Sequence, residues 1–273
     1  MPSDSTTPIP TTTPTTTPTP DLAHALRGLG LRLIAEQLDD FVAQATRRRA
    51  SPRQLLEELA RLEAQERARK SVERRLGRAR LGRFKPIADF DWNWPKEIDR
   101  PAIERALKLG FLERAENIVL VATQGLGKTM IAQNLAHAAV LAGANALFIT
   151  AADLLLDLAK QETARALERR LRHYLQPTLL CVDEVGYLAY DNHAADLLFQ
   201  IVSRRYERRS IVLTTNLVFA EWNTVFPNAA CATALIDRLT HHAEVLVIKG
   251  ESYRKREAEL AQKARRRGER THA

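Results

Sequence analysis

Two glycines, a lysine and a threonine stand together between two apolar segments. The stretch Ala122-Thr-Gln-Gly-Leu-Gly-Lys-Thr129 follows an apolar run and precedes an apolar helical pattern. Glycines let backbone N–H groups point at phosphate oxygens, and the N-terminus of the next helix adds its positive dipole. This context predicts a phosphate-binding loop of the Walker A type, although Ala122 stands where that motif begins with glycine. The predicted nucleotide contacts are Gln124, Gly125, Leu126, Gly127, Lys128 and Thr129.

Two acids follow a second apolar run about fifty residues later. Leu179-Leu-Cys-Val precedes Asp183 and Glu184, and the ends of parallel strands lie beside a phosphate loop. We expect Thr129 and Asp183 to bind Mg²⁺ and Glu184 to polarise the attacking water, because phosphoryl transfer depends on positioning and charge neutralisation. A third apolar run delivers Asn216, whose amide would orient that water. The predicted chemistry is ATP hydrolysis to ADP and phosphate.

Strand and helix patterns alternate from residue 100 onward. Short apolar runs at 117–122, 146–150, 179–183, 211–215 and 244–248 are separated by helical patterns, one of them continuous over 152–173. Such alternation predicts an α/β fold with a five-stranded, mainly parallel sheet and helices on both faces.

The region before the sheet divides by composition. Residues 1–20 hold nine Thr and six Pro, which predicts a disordered tail. Residues 21–85 read as a small all-α domain, in which Ser51, Pro52 and Gln54 match a helix N-cap, a first helical proline and a capping-box acceptor. We expect an aromatic linker at 86–100, an ATPase domain at 101–258 and a basic tail at 259–273.

Positive charge is concentrated in segments. The chain has 273 residues and a net charge of +8; residues 41–85 carry fourteen Lys or Arg against five acids, and residues 249–273 nine against four. A basic helix in the first segment predicts contacts with DNA phosphates, whereas the alternative is a solvated face paired with its own glutamates. The candidate DNA-binding residues are Arg67, Arg69, Lys70, Arg74, Arg75, Arg78, Arg80 and Arg83.

Composition also excludes several classes of protein. Cys181 and Cys231 are too few for a disulfide scaffold and lack zinc-ligand spacing. No apolar run has the length of a membrane span, and no signal peptide is evident. We therefore expect a cytoplasmic location and no membrane partner.

With these residues in hand, the sequence resembles the IstB-type transposition helper ATPases, an AAA+ group related to the DnaC helicase loaders. The resemblance covers roughly residues 22–258. It rests on the basic helix with Glu66-Arg-Ala-Arg-Lys70 and Glu73-Arg-Arg-Leu-Gly-Arg-Ala-Arg-Leu81, on Glu113-Arg-Ala-Glu-Asn117 before the phosphate loop, and on Asp183-Glu-Val-Gly-Tyr-Leu188. Further matching strings are Thr215-Asn-Leu217 with Glu221-Trp222, Asp237-Arg-Leu239, His241-His242 and Ile248-Lys-Gly-Glu-Ser-Tyr-Arg254.

The resemblance implies an AAA+ P-loop NTPase fold and adds two arginines that spacing alone does not reveal. Arg238 matches an arginine finger that reaches the nucleotide of a neighbouring subunit, and Arg254 matches a sensor arginine. It further implies a homo-oligomer with ATP at subunit interfaces, double-stranded DNA as ligand and a transposase as partner.

Three functional hypotheses remain open from the sequence. The first is an ATP-dependent regulator that oligomerises on duplex DNA and recruits or activates a transposase, with hydrolysis as an assembly switch. The second is a helicase loader that binds single-stranded DNA. The third, from a different class, is a nucleotide-bound DNA scaffold without turnover or a small-molecule phosphotransferase.

Overall fold

Five parallel strands form one sheet. The computed structural model describes residues 21–187, 189–253 and 255–256. The strands are rich in Val, Ile and Leu, as expected where both faces of a parallel sheet are covered by helices. Their bounds are β1 Asn117–Ala122, β2 Ala146–Thr150, β3 Leu179–Val185, β4 Ser210–Thr215 and β5 Ala243–Ile248. Within the sheet they lie in the order β2-β3-β4-β1-β5.

Eleven α-helices lie within the described ranges. The predicted helix over 152–173 is two helices, α8 over Ala151–Ala159 and α9 over Ala164–Leu175. Lys160 caps the end of the first, and the Thr163 hydroxyl accepts from Ala166 N to begin the second. The bounds are α1 Leu22–Gly28, α2 Arg32–Glu36, α3 Leu38–Arg47, α4 Pro52–Ala79, α5 Arg100–Leu107, α6 Gly110–Glu113, α7 Lys128–Leu141, α8 Ala151–Ala159, α9 Ala164–Leu175, α10 Asn192–Arg205 and α11 Ala229–Thr240. Short 3-10 turns occupy Ile87–Asp89 and Phe219–Thr224.

Each face of the sheet has its own hydrophobic core. Along β1, Val119 and Val121 face one core, whereas Ile118 and Leu120 face the other, because successive strand side chains point to opposite faces. The first core includes residues of α8 to α11, and the second includes residues of α5 and α7. The linker aromatics Phe90, Trp92 and Trp94 pack on the second core.

By internal contacts the chain divides after Ser71, within α4. In the first unit the capping box forms as predicted, since Ser51 N donates to Gln54 Oε1 over 2.8 Å and Gln54 N to Ser51 Oγ over 3.3 Å. Buried Glu63 accepts from Ile34 N over 2.9 Å. The predicted domain boundaries remain predictions, and the proposed tails at 1–20 and 259–273 lie outside the described residues.

No helix among the described residues is both long and apolar enough to span a membrane.

Candidate nucleotide site

The predicted phosphate loop joins β1 to α7. Gly125 and Gly127 have φ angles of 78° and 86°, in the left-handed region where a side chain is unfavourable. A Cβ on Gly127 would also lie 2.5 Å from a ring carbon of Phe90, and one on Gly125 would lie 2.2 Å from Ser252 Oγ. Both glycines are therefore required by backbone conformation and by close neighbours.

Alanine is compatible with position 122. Ala122 belongs to β1 and is buried in the second core, and its φ is not among the positive values of the described chain. A methyl group therefore fits where the motif has glycine. The Ala122 carbonyl accepts a hydrogen bond from Lys128 Nζ over 2.6 Å, and the Thr123 carbonyl accepts another over 3.0 Å.

Asp183 lies at the polar end of β3, directly beside the start of α7. Its carboxylate is buried and accepts from Thr129 Oγ1 over 3.0 and 3.2 Å. Carboxylate and hydroxyl oxygens are ligands that Mg²⁺ prefers. The predicted pair of metal-binding side chains is thus brought together, although the two residues are 54 positions apart.

Glu184 occupies a β-bulge. The register passes from Val182 opposite Leu213 to Val185 opposite Thr215, so that Asp183 and Glu184 together face Thr214. Glu184 has φ 61°, a left-handed conformation that costs on the order of 1 kcal/mol or more for a non-glycine residue. The bulge turns the Glu184 side chain outward, where it is exposed while its neighbours Asp183 and Val185 are buried.

Thr214 holds the two acids in place and was missed by the sequence interpretation. Its Oγ1 donates to Asp183 Oδ1 and accepts from Glu184 N over 3.0 Å. Thr214 is 1% exposed, so these hydrogen bonds form inside the sheet. The available signal was a hydroxyl residue within an otherwise apolar strand.

A cavity of about 550 Å³ opens above the phosphate loop. Glu184 and Asn216 line it on the sheet side, and Phe90, Trp94 and Tyr253 provide aromatic walls. This volume is in the range of small-molecule sites. These features fit a nucleoside triphosphate with Mg²⁺. The left-handed glycines, the helix N-terminus and the lysine suit its phosphates, and the Thr129–Asp183 pair suits the ion. All six predicted nucleotide contacts, from Gln124 to Thr129, line the cavity.

Of the two arginines that the family resemblance added, only Arg238 lies within the described residues. Arg238 lies on α11, where its guanidinium donates to Ser203 Oγ and lies 4.6 Å from the centre of the Phe199 ring. It is not among the described residues that line the cavity of its own chain. Arg254 lies outside the described residues.

The candidate DNA-binding residues of α4 and of the segment that follows it divide into two groups. Arg67 donates to the Gly30 carbonyl, and Arg69 and Lys70 pair with Glu66, which lowers the pKa of Glu66 to about 2. Arg75 donates to the carbonyl of Val140 over 3.3 Å, at the C-terminal end of α7. Arg67, Arg69 and Lys70 are exposed despite these contacts. The remaining candidates are exposed as well, and they are Arg74 and Arg78 on α4 and Arg80 and Arg83 after its end.

Comparison with known proteins identifies the family of this chain. The model of the IstB-like ATP binding protein family matches residues 24–261. The chain belongs to the IstB-like ATP-binding protein family. A Pseudomonas aeruginosa protein of insertion sequence IS21, named for ATP binding, is 38% identical over 242 residues, covering 87% of this chain and 91% of its own. A similarly named IS5376 protein from Geobacillus stearothermophilus is 36% identical over 232 residues, covering 85% and 92%.

The fold of this IstB-like protein also has a counterpart among solved structures. The crystal structure of DnaI matches with a TM-score of 0.51 at 17% identity, covering 63% of this chain and 91% of that one. The predicted AAA+ P-loop NTPase fold with a five-stranded parallel sheet is confirmed. The family resemblance and the assignment of ATP binding are confirmed as well.

Proposed function

We propose that this protein is an Mg²⁺-dependent ATPase of an insertion sequence, which oligomerises on duplex DNA and recruits or activates a transposase. ATP hydrolysis acts as the assembly switch. The observation that carries the ATPase proposal is the β-bulge. Asp183 remains buried and hydrogen-bonded to Thr129, while Glu184 is exposed to the cavity. A scaffold that only binds nucleotide has no need for this strained arrangement.

Each of these residues has a distinct role in the proposal. Lys128 and the loop N–H groups bind the phosphates, and Thr129 and Asp183 hold Mg²⁺. Magnesium supplies neutralisation of phosphate charge when it is bound. Glu184 accepts a hydrogen bond from the attacking water, and Asn216 orients that water from the end of β4.

Phosphoryl transfer needs positive charge near the phosphates, and this need supports a nucleotide site that is shared between subunits. Lys85 and Lys128 are the cations among the described residues that line the cavity, and no arginine is among them. Phosphoryl transfer is commonly accelerated by an arginine supplied in cis or in trans. We assign this role to Arg238 of a neighbouring subunit, with Arg254 as a sensor that the described residues do not test.

The DNA part of the proposal rests on charge and on the relatives. Arg74, Arg78 and Arg83 are exposed, and within the described residues no ion pair or hydrogen bond engages them. Proteins named for insertion sequences are relatives of this chain. Arginines on a helix bind phosphates regardless of sequence, so site choice is left to the transposase.

Phosphate release tests the ATPase. We expect release by the parental protein with ATP and Mg²⁺, no release by Lys128→Ala, and ATP binding without release by Glu184→Gln. Glu162→Gln removes another exposed carboxylate and should leave the rate unchanged. Equal rates in all four proteins would contradict the assignment of the site.

Competition between DNA forms tests the choice of ligand. The parental protein is incubated with labelled duplex DNA, and unlabelled duplex or single-stranded DNA is added at increasing concentration. We expect duplex DNA to compete more strongly and to stimulate phosphate release. Stronger competition and stimulation by single-stranded DNA would instead support a helicase loader, and no response to DNA would favour chemistry on a small acceptor.

A further inference from the structure

Two histidines and a glutamate meet where α10 and α11 end. Glu207 lies two residues beyond the end of α10, and His241 and His242 directly follow α11. One carboxylate oxygen and one ring nitrogen from each histidine lie within 4.8 Å of one another. All three side chains are exposed. The cluster does not line the nucleotide cavity, and the proposed ATP chemistry makes no use of it.

The donor set suits a first-row transition metal. Imidazole nitrogen and carboxylate oxygen bind Zn²⁺ at about 2.0–2.2 Å, which places neighbouring ligand atoms of a tetrahedron about 3.3–3.6 Å apart. His242 Nε2 lies 3.2 Å from Glu207 Oε1, already close to that separation. No two of the three ligand atoms lie more than 4.8 Å apart, so a side-chain movement of at most about 1.5 Å brings them to tetrahedral spacing.

The Tyr206 hydroxyl contacts one ring nitrogen of the third candidate ligand, His241. The hydroxyl oxygen lies 2.5 Å from His241 Nδ1. A histidine ligand ordinarily donates its second ring N–H to an oxygen, which fixes the tautomer and directs the other nitrogen at the metal. In the tautomer in which Nδ1–H donates to the Tyr206 oxygen, the Nε2 lone pair of His241 is available for an ion. The ring of Tyr206 also stacks on His242, with centroids 6.2 Å apart and an interplanar angle of 27°.

We propose that Glu207, His241 and His242 form a binding site for a divalent transition-metal ion of the Zn²⁺ class. Tyr206 is a positioning residue that acts through His241. The ion would cross-link the segments that directly follow α10 and α11. Three protein ligands leave one position of a tetrahedron for water or for a group from another molecule. Binding of the ion does not depend on the proposed ATPase activity.

Metal titration of the full-length protein without nucleotide tests this site. Zn²⁺ binding is measured by calorimetry, and Co²⁺ by the visible absorption of a tetrahedral complex. We expect one site, a loss of that site in His242→Ala and in Glu207→Gln, and a roughly 10- to 100-fold weaker affinity in Tyr206→Phe. His193→Ala removes another exposed histidine and should bind as the parental protein does.

Thermal unfolding gives a second readout. Zn²⁺ should raise the unfolding temperature of the parental protein and of His193→Ala but not that of His242→Ala, because an ion that binds only the folded state stabilises it. Circular dichroism checks that each variant is folded. Absence of a Zn²⁺ site in the parental protein, or binding that persists in a His241→Ala/His242→Ala double variant, would overturn the proposal.

Discussion

Replacement of Thr214 by valine tests whether one buried hydroxyl sets the catalytic geometry. Valine has nearly the same shape, so the change removes only the hydrogen bonds to Asp183 and from Glu184 N. A hydrogen bond to a charged group contributes about 1.5–3 kcal/mol, and an unsatisfied N–H costs about 1–3 kcal/mol. We expect a loss of about 3 kcal/mol in the free energy of unfolding, which lowers the unfolding temperature by about 6–12 °C at this chain length.

The same change should affect hydrolysis more than binding. Without the hydroxyl, nothing at position 214 holds the Glu184 backbone in its left-handed conformation, and a displacement of about 1 Å can reduce a rate about 100-fold. ATP affinity depends on Lys128 and the loop and should change little. The assays are phosphate release at saturating ATP, binding of a fluorescent ATP analogue and thermal unfolding.

Thr214→Ser is the matched control, because serine keeps the hydroxyl and removes only a methyl group. The serine variant should keep both hydrogen bonds and retain most of the rate of phosphate release. The reasoning is refuted if valine leaves the rate and the unfolding temperature as they are in the parental protein, or if serine and valine are equally impaired.

Three further predictions concern other parts of the molecule. Arg238→Ala should bind ATP but hydrolyse it on the order of 10³-fold more slowly, and mixing with Glu184→Gln subunits should restore phosphate release; failure at every ratio would argue against a shared site. Arg74→Ala/Arg78→Ala/Arg83→Ala should make the negative slope of log affinity for duplex DNA against log salt less steep, by about 0.9 for each DNA phosphate that the protein no longer neutralises. Arg53→Ala, which removes an arginine paired with Glu57 within α4, should leave the slope unchanged. Burial opposes ionisation of Asp157, but hydrogen bonds from Arg170 and Tyr174 outweigh it and lower the pKa of Asp157. The stabilisation that the Asp157 carboxylate contributes should therefore be present above about pH 4, the pKa of the residue in the unfolded chain, and should disappear as the pH falls through its lower pKa in the folded protein. Unfolding temperatures of the parental protein and Asp157→Asn should therefore converge in acid, and a constant difference would contradict this.

Local sequence determined the elements of this protein. The strands at 117–122 and 146–150 have the predicted bounds, because a buried parallel strand must be a short apolar run. Ser51 and Gln54 form the predicted capping box, since that motif needs only residues three positions apart. The phosphate loop was likewise readable because its glycines, lysine and threonine are contiguous.

Tertiary structure decided the relations between distant residues. The Thr214 hydroxyl meets Asp183 and Glu184 only because β3 and β4 pair with a bulge, and register across strands is not encoded in either strand alone. Among the basic residues of α4, charge alone did not distinguish Arg74, which is exposed, from Arg75, which donates to the end of α7. Glu207 reaches His242 across 35 positions for the same reason. Sequence patterns report neighbours within a few residues, whereas packing determines which side chains from separate elements share a site.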